Sequence, residues 1–247
     1  MTDRAGSAST TATTAMRTIG VLGGMSPVAT AEYYRLLNAA VNQRLGGHAS
    51  AEVIIASVDF AVIESCIHEQ RWDDGASYLI ERARRLERGG AEFLLMATNT
   101  MHRVAPAIEA AVGIPLIHIV DVTAEAALAG GARRLGVLGT RPVMEADFYR
   151  ERFAGHGLDV LVPAEPDRTL VDKVIFAELT HGRIEDSSRA EYLRIMRELG
   201  ERGADGIVLG CTEIGLLVTP EDLPGMPLYD TTALHVQAAV RLSLEPT

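Results

Sequence analysis

Cys211 sits in the stretch GIVLGCTEIG, positions 206–215, directly before Thr212 and Glu213. A run of small and apolar residues thus ends on a thiol, a hydroxyl and a carboxylate. A free thiol has a pKa of about 8.5, so its neighbours decide whether it stands ready as a thiolate. A helix starting just after this strand is expected to lower that pKa through its N-terminal amides. The same amides could hold a carboxylate of a ligand.

The pattern has an echo. GAEFLLMATNT at 90–100 matches GADGIVLGCTE at 203–213, which sets Thr98 opposite Cys211 and Asn99-Thr100 opposite Thr212-Glu213. The echo belongs to a longer repeat. IGVLGG at 19–24 returns as LGVLGT at 135–140, AEYYR at 31–35 as ADFYR at 146–150, and GIPL at 113–116 as GMPL at 225–228. Four segments recur in one order at nearly constant spacing, the signature of two related lobes. Residues in equivalent strand ends of such lobes face a shared cleft from opposite sides. That arrangement suits inversion of a stereocentre, in which one group removes a proton from one face and another delivers one to the other face.

Several elements must hold these groups in place. TIGVLGG (18–24) reads as a buried strand ending in a glycine turn. SPVATAEYYRLLNAAVNQRL (26–45) reads as a helix with Ser26 as N-cap and Pro27 in the first turn. AEVIIASVDF (51–60) and AEFLLMATN (91–99) read as strands around a helix at 72–90. This alternation predicts an α/β fold of two pseudo-symmetric lobes, each a parallel sheet flanked by helices, with the site in the cleft between them. The expected division is a disordered tail at 1–15, a first lobe at 16–120 and a second at 121–230. The segment at about 231–247 is expected to pack back on the first lobe.

The totals narrow the function. Lys and Arg number 23 against 33 Asp and Glu, a formal charge of −10, which argues against a nucleic-acid partner. Two cysteines, Cys66 and Cys211, are too few for a disulfide framework. No apolar run approaches the roughly 20 residues of a membrane span, so no membrane partner is expected. The first fifteen residues lack the apolar stretch of a signal peptide, and a cytoplasmic location is expected. His102, His118 and His235 lack ligand spacing, so no metal is expected.

The motifs IGVLGGMSPVAT, TNTMH and GCTEIGLL, in this order, resemble the aspartate/glutamate racemase family, and the resemblance spans Thr18 to His235. It implies two similar α/β lobes with the site between them, and Cα deprotonation of aspartate or glutamate without pyridoxal phosphate or another cofactor. The family pattern places a cysteine in each lobe, as CNT and GCTE. Here the first motif is TNT, so Thr98 stands where a cysteine is usual. That form resembles the subgroup acting on L-aspartate or L-glutamate. A hydroxyl is far too weak an acid to serve unaided as a base near neutral pH, so unequal rates in the two directions are expected.

Cys211 and Thr98 are therefore the expected proton-transfer pair. Asn99, Thr100 and Thr212 are expected to orient the substrate, and Glu213 to hold an amide or the substrate ammonium. Met25 and Ser26 belong to a turn whose amides line the cleft, and Thr140 is its counterpart in the second lobe. Arg141 and Lys173 are candidate cations for a side-chain carboxylate, and Lys173 is counted among the substrate contacts. Ordinary surface placement is the competing reading of both. The expected partner is a small amino acid, and the expected assembly a homodimer. Two other functions fit the same residues: a one-sided cysteine-dependent decarboxylase or isomerase, and an amino-acid sensor without turnover.

Overall fold

A computed structural model of the protein describes residues 16–245. The tail expected at 1–15 lies outside the described residues. The first lobe runs β1 (Ile19–Gly23), α1 (Pro27–Leu45), β2 (Val53–Ser57), α2 (Phe60–His68), α3 (Trp72–Arg88), β3 (Phe93–Met96), α4 (Ala105–Glu109) and α5 (Ile119–Ala129), with a 3-10 turn at Thr100–Val104. The second runs β4 (Arg134–Gly139), α6 (Arg141–Glu145), α7 (Asp147–Gly155), β5 (Asp159–Leu161), α8 (Asp167–Ala177), α9 (Asp186–Glu201), β6 (Gly206–Gly210), α10 (Ile214–Leu217), β7 (Leu228–Asp230) and α11 (Thr231–Leu244).

Both sheets are parallel, ordered β2-β1-β3 and β5-β4-β6-β7. Strands β1 and β6 are buried along their whole length, which is why they read as continuous apolar or glycine runs rather than alternating ones. A parallel bridge between Leu94 and Leu116 is the first lobe's counterpart of β7. The pairing registers follow the repeat. Leu22 lies beside Met96 in one sheet and Leu138 beside Leu209 in the other.

The glycine turn after β1 has a steric cause. Gly24 adopts φ +88°, and a Cβ there would lie 2.3 Å from the carbonyl oxygen of Val58. Only glycine can bring the chain around so tightly. The turn delivers Met25 and Ser26 to the C-terminal edge of the sheet. Ser26 then caps α1, its Oγ accepting from the Ala29 amide at 3.1 Å.

Each lobe gives its last helix to the other. Helix α5 packs Ile119, Val120, Ala124 and Ala127 with Leu135, Val137, Tyr149 and Phe153 of the second lobe. Helix α11 packs Val236, Ala239 and Val240 with Ile19, Tyr33, Leu37 and Phe93 of the first. The two helices also touch each other. A fully buried aliphatic or aromatic side chain is worth about 1.5–3 kcal/mol over exposure, so pulling the lobes apart would expose many such groups together.

Candidate functional site

The C-terminal ends of β1, β3, β4 and β6 converge on one narrow cleft. Its lining includes Met25, Ser26, Thr98, Asn99, Thr100, Thr140, Cys211, Thr212 and Glu213. The internal repeat thus brings Thr98 and Cys211 to the same space from different lobes.

Glu213 is the hub. It is 3% exposed, and its two oxygens accept three side-chain hydrogen bonds. Ser26 Oγ donates from the first lobe at 2.6 Å. Cys211 Sγ donates at 3.1 Å, and the Thr212 hydroxyl donates to the same oxygen. Glu213, expected to hold an amide or the substrate ammonium, holds a thiol and two hydroxyls in the free protein.

This arrangement reverses the expected tuning of the thiol. Burial, and then the Glu213 charge beside it, push the Cys211 pKa well above its ordinary value. The helix expected to lower it is a single turn, α10, beginning three residues on. Thr219, the residue before Pro220, is extended, and the chain cannot continue as a helix there. In the free protein Cys211 is a thiol whose proton points at a carboxylate.

Two further contacts tie the lobes across the cleft. Thr100 and Thr140 share a hydroxyl–hydroxyl bond of 2.9 Å. Asn99 receives the Tyr149 hydroxyl at 3.0 Å and donates to Thr231 Oγ1 at 3.0 Å. These bonds use its oxygen and one of its two N–H groups, so Asn99 fixes the end of β3 against the second lobe while it lines the cleft.

His102 lies behind Thr98 and not in the cleft. The Ile119 amide donates to its Nε2 at 3.3 Å, which leaves Nδ1 to donate to the Thr98 carbonyl at 2.7 Å. His118 Nδ1 accepts from the Val120 amide, while His235 accepts the Tyr33 hydroxyl on Nδ1 and donates from Nε2 to the Ile117 carbonyl. These three rings cluster between the lobes, with centroids 4.6 Å and 5.8 Å apart. Burial keeps all of them neutral. It drives His102 well below its ordinary value, and His118 and His235 down to about 4. The sign follows directly: the unfolded chain takes up protons below the ordinary value of 6.5, and the folded chain does not until about 4. Stability is complete above 6.5 and is lost as pH falls towards about 4. We expect the cluster to cost on the order of a few kcal/mol across that window. Urea midpoints at several pH values check this, and His235→Gln should flatten the slope.

Lys173 was expected at the substrate, and the structure places it elsewhere. It is exposed on α8 and lines a separate depression with Glu178 and Glu191. Val171, Val174 and Ile175 form the buried stripe of that helix, which turns Lys173 to solvent. Arg141 is likewise engaged on the rim, its guanidinium bonding Glu145, Glu165 and Thr169. Cys66 is buried in α2.

The sequence did not single out the apolar wall of the cleft. Phe60, Ile63 and Ile67 from α2 face Ile175 and Phe176 from α8. Apolar residues at helical spacing read as core, and the spacing 60, 63, 67 was the available signal. Among the described residues, no group of three His, Cys, Asp or Glu side chains could hold a metal ion, and no helix is long and apolar enough to cross a membrane.

Fold and cleft together define a two-lobed parallel α/β protein with a thiol and a hydroxyl at matched strand ends. The Asp/Glu/hydantoin racemase family model matches residues 22–239, and the chain belongs to that family. It is 25% identical over 232 residues to the broad-specificity amino-acid racemase RacX of Bacillus subtilis, covering 90% of this chain and 96% of that protein. The structure resembles that of a candidate Asp/Glu racemase from Yersinia pestis, with 44% identity and a TM-score of 0.86, covering 93% of this chain and all of the other. It also resembles an aspartate racemase homologue from Pyrococcus horikoshii, with 31% identity and a TM-score of 0.82 over the same shares.

Proposed function

We propose that the chain interconverts the enantiomers of an amino acid by Cα proton transfer, without pyridoxal phosphate or another cofactor. The observation that carries this reading is the placement of Cys211 and Thr98 on one cleft from two lobes. Glu213 takes the thiol proton, and the thiolate so formed removes the Cα proton from its face. Thr98 relays a proton to the opposite face, and exchange with solvent resets the pair. Thr100 and Thr140 share one bond across the cleft, and the hydroxyl proton this leaves free, placed before the substrate arrives, stabilises the charge that develops on the substrate carboxylate. The family is described by aspartate, glutamate and hydantoin together, and one relative is named for broad specificity, so the lining of the cleft decides which side chain is taken.

A second reading is one-sided protonation, and one contact favours it. The His102 ring meets the Thr98 carbonyl and not its hydroxyl, so it does not activate that hydroxyl.

The test supplies each enantiomer separately in D2O, follows the Cα proton by NMR, and separates products by chiral chromatography. Racemisation is expected as deuterium entry with accumulation of the opposite enantiomer. Deuterium entry with full retention would instead establish the one-sided reading. Thr98→Ala sharpens the distinction. It is expected to lower enantiomer conversion by about 10²–10⁴-fold, yet to leave exchange with retention for the enantiomer whose Cα–H faces Cys211. Equal loss of exchange for both enantiomers would rule out Thr98 as the second-face group.

A further inference from the structure

We infer that the cleft selects an amino acid with an uncharged, apolar side chain, an inference that rests on the proton-transfer reading above. Among the described residues that line the cleft, none is Lys, Arg or His, and the charged group present is the anion Glu213. The lining is divided by element. Strand ends supply the thiol, Glu213 and the other hydroxyls, while α2 and α8 supply Phe60, Ile63, Ile67, Ile175 and Phe176; Thr180, just after α8, spends its hydroxyl proton on the Phe176 carbonyl at 3.0 Å.

An α-amino acid places its reacting carbon against the strand ends, where the hydroxyls can meet one carboxylate. Its side chain then points to the wall of the two helices. A second carboxylate there would lose its water among isoleucines and phenylalanines without a counter-ion, a placement that strongly disfavours the charged form. Glu213 adds repulsion of the same sign. An apolar side chain meets the opposite balance, because its contact with the half-buried Phe60, Ile67 and Phe176 removes apolar surface from water on both partners.

The neighbouring cations do not repair this. Arg141 and His68 line an adjoining depression at the mouth together with Asp172. The Arg141 guanidinium is already bound by Glu145 and Glu165, and its backbone amide donates to Asp172 at 2.7 Å. His68 lies 3.8 Å from Glu64 and sets its ring beside Phe176, with centroids 6.2 Å apart. That contact extends the apolar wall to the rim and joins the two lobes there.

The experiment uses the full chain and measures Cα deuterium exchange by NMR with each enantiomer of leucine, methionine, phenylalanine, aspartate and glutamate at matched concentrations. The neutral substrates are expected to exceed the acidic ones by about a hundredfold in kcat/KM. Faster exchange of aspartate or glutamate than of any neutral amino acid overturns the side-chain class and leaves the proton-transfer reading standing. Absence of exchange with all of them overturns both. Exchange of the neutral substrates that survives for both enantiomers in Cys211→Ala arises elsewhere and also overturns the inference. Phe176→Arg, at a half-buried position on the rim, tests the wall directly. It is expected to raise aspartate and glutamate exchange about tenfold and to lower leucine exchange by a similar factor. An equal loss for every substrate would show that Phe176 shapes the fold and does not select the side chain.

Discussion

Cys211→Ala is expected to lower enantiomer conversion in both directions, and Cα hydrogen–deuterium exchange of the enantiomer whose Cα–H faces the thiol, by about 10³–10⁴-fold for any substrate the protein accepts. Every conversion passes one proton through this thiol, by removal in one direction and delivery in the other. The remaining polar groups cannot substitute for it. Thr98 and Thr100 carry hydroxyls of ordinary weak acidity, and Glu213 is held by Ser26 and Thr212 on the strand-end side. The fold should survive. Cys211 is partly exposed to the cleft, and its loss leaves Glu213 with two hydroxyl donors. Circular dichroism and the thermal midpoint should therefore stay close to those of the parent while conversion disappears. Cys211→Ser separates size from acidity, since it restores the donor to Glu213 without restoring a group that ionises in the working range; its activity should resemble that of alanine. Conversion within about tenfold of the parent in Cys211→Ala would remove the thiol from the mechanism.

The parts of this site that were legible in the sequence are those fixed by local chemistry. Ser26 caps α1 because a hydroxyl before Pro27 and a helical run has few other uses. Cys211 and Thr98 were paired by the repeat, which the two sheets reproduce strand for strand. The illegible parts depend on partners distant in sequence. Asn99 lines the cleft as expected, but its bonds to Tyr149 and Thr231, which tie it to the second lobe, come from residues far along the chain. The thiol was expected to be lowered by a helix, but α10 is one turn long and the nearest charge is Glu213. Lys173 was different, because its outward direction was readable. The buried set Val171, Val174 and Ile175 fixes the inner face of α8 by helical period alone. The apolar wall was hidden for the opposite reason: Phe60 and Ile63 carry the same pattern as any core-facing helix, and only the position of α8 opposite them makes a cleft.

Glu213→Gln should move two observables in opposite directions. Burial raises the Cys211 pKa first, and the Glu213 charge and its hydrogen bond raise it further. Neutralising residue 213 removes the second contribution and leaves the first. The thiol should then ionise at lower pH than in the parent, although still above an exposed cysteine. Iodoacetamide alkylation measured against pH reports this, in a Cys66→Ala background so that one thiol responds. Exchange activity should nevertheless fall by about 10²–10³-fold, because the group that receives the thiol proton during turnover has gone. A residue that merely braced the site would behave differently. Its loss would lower activity and thermal stability together and leave the alkylation profile in place. The Ser26 bond makes the contrast sharper. Ser26→Ala deletes the inter-lobe donor to Glu213 at 2.6 Å but leaves the carboxylate beside the thiol. The carboxylate stays within reach of the thiol and keeps the Thr212 donor, so this variant should retain most of its exchange activity. More thiolate with less turnover in Glu213→Gln, beside near-normal turnover in Ser26→Ala, identifies Glu213 as the acceptor of the Cys211 proton. An alkylation profile that stays put or moves to higher pH would exclude that role.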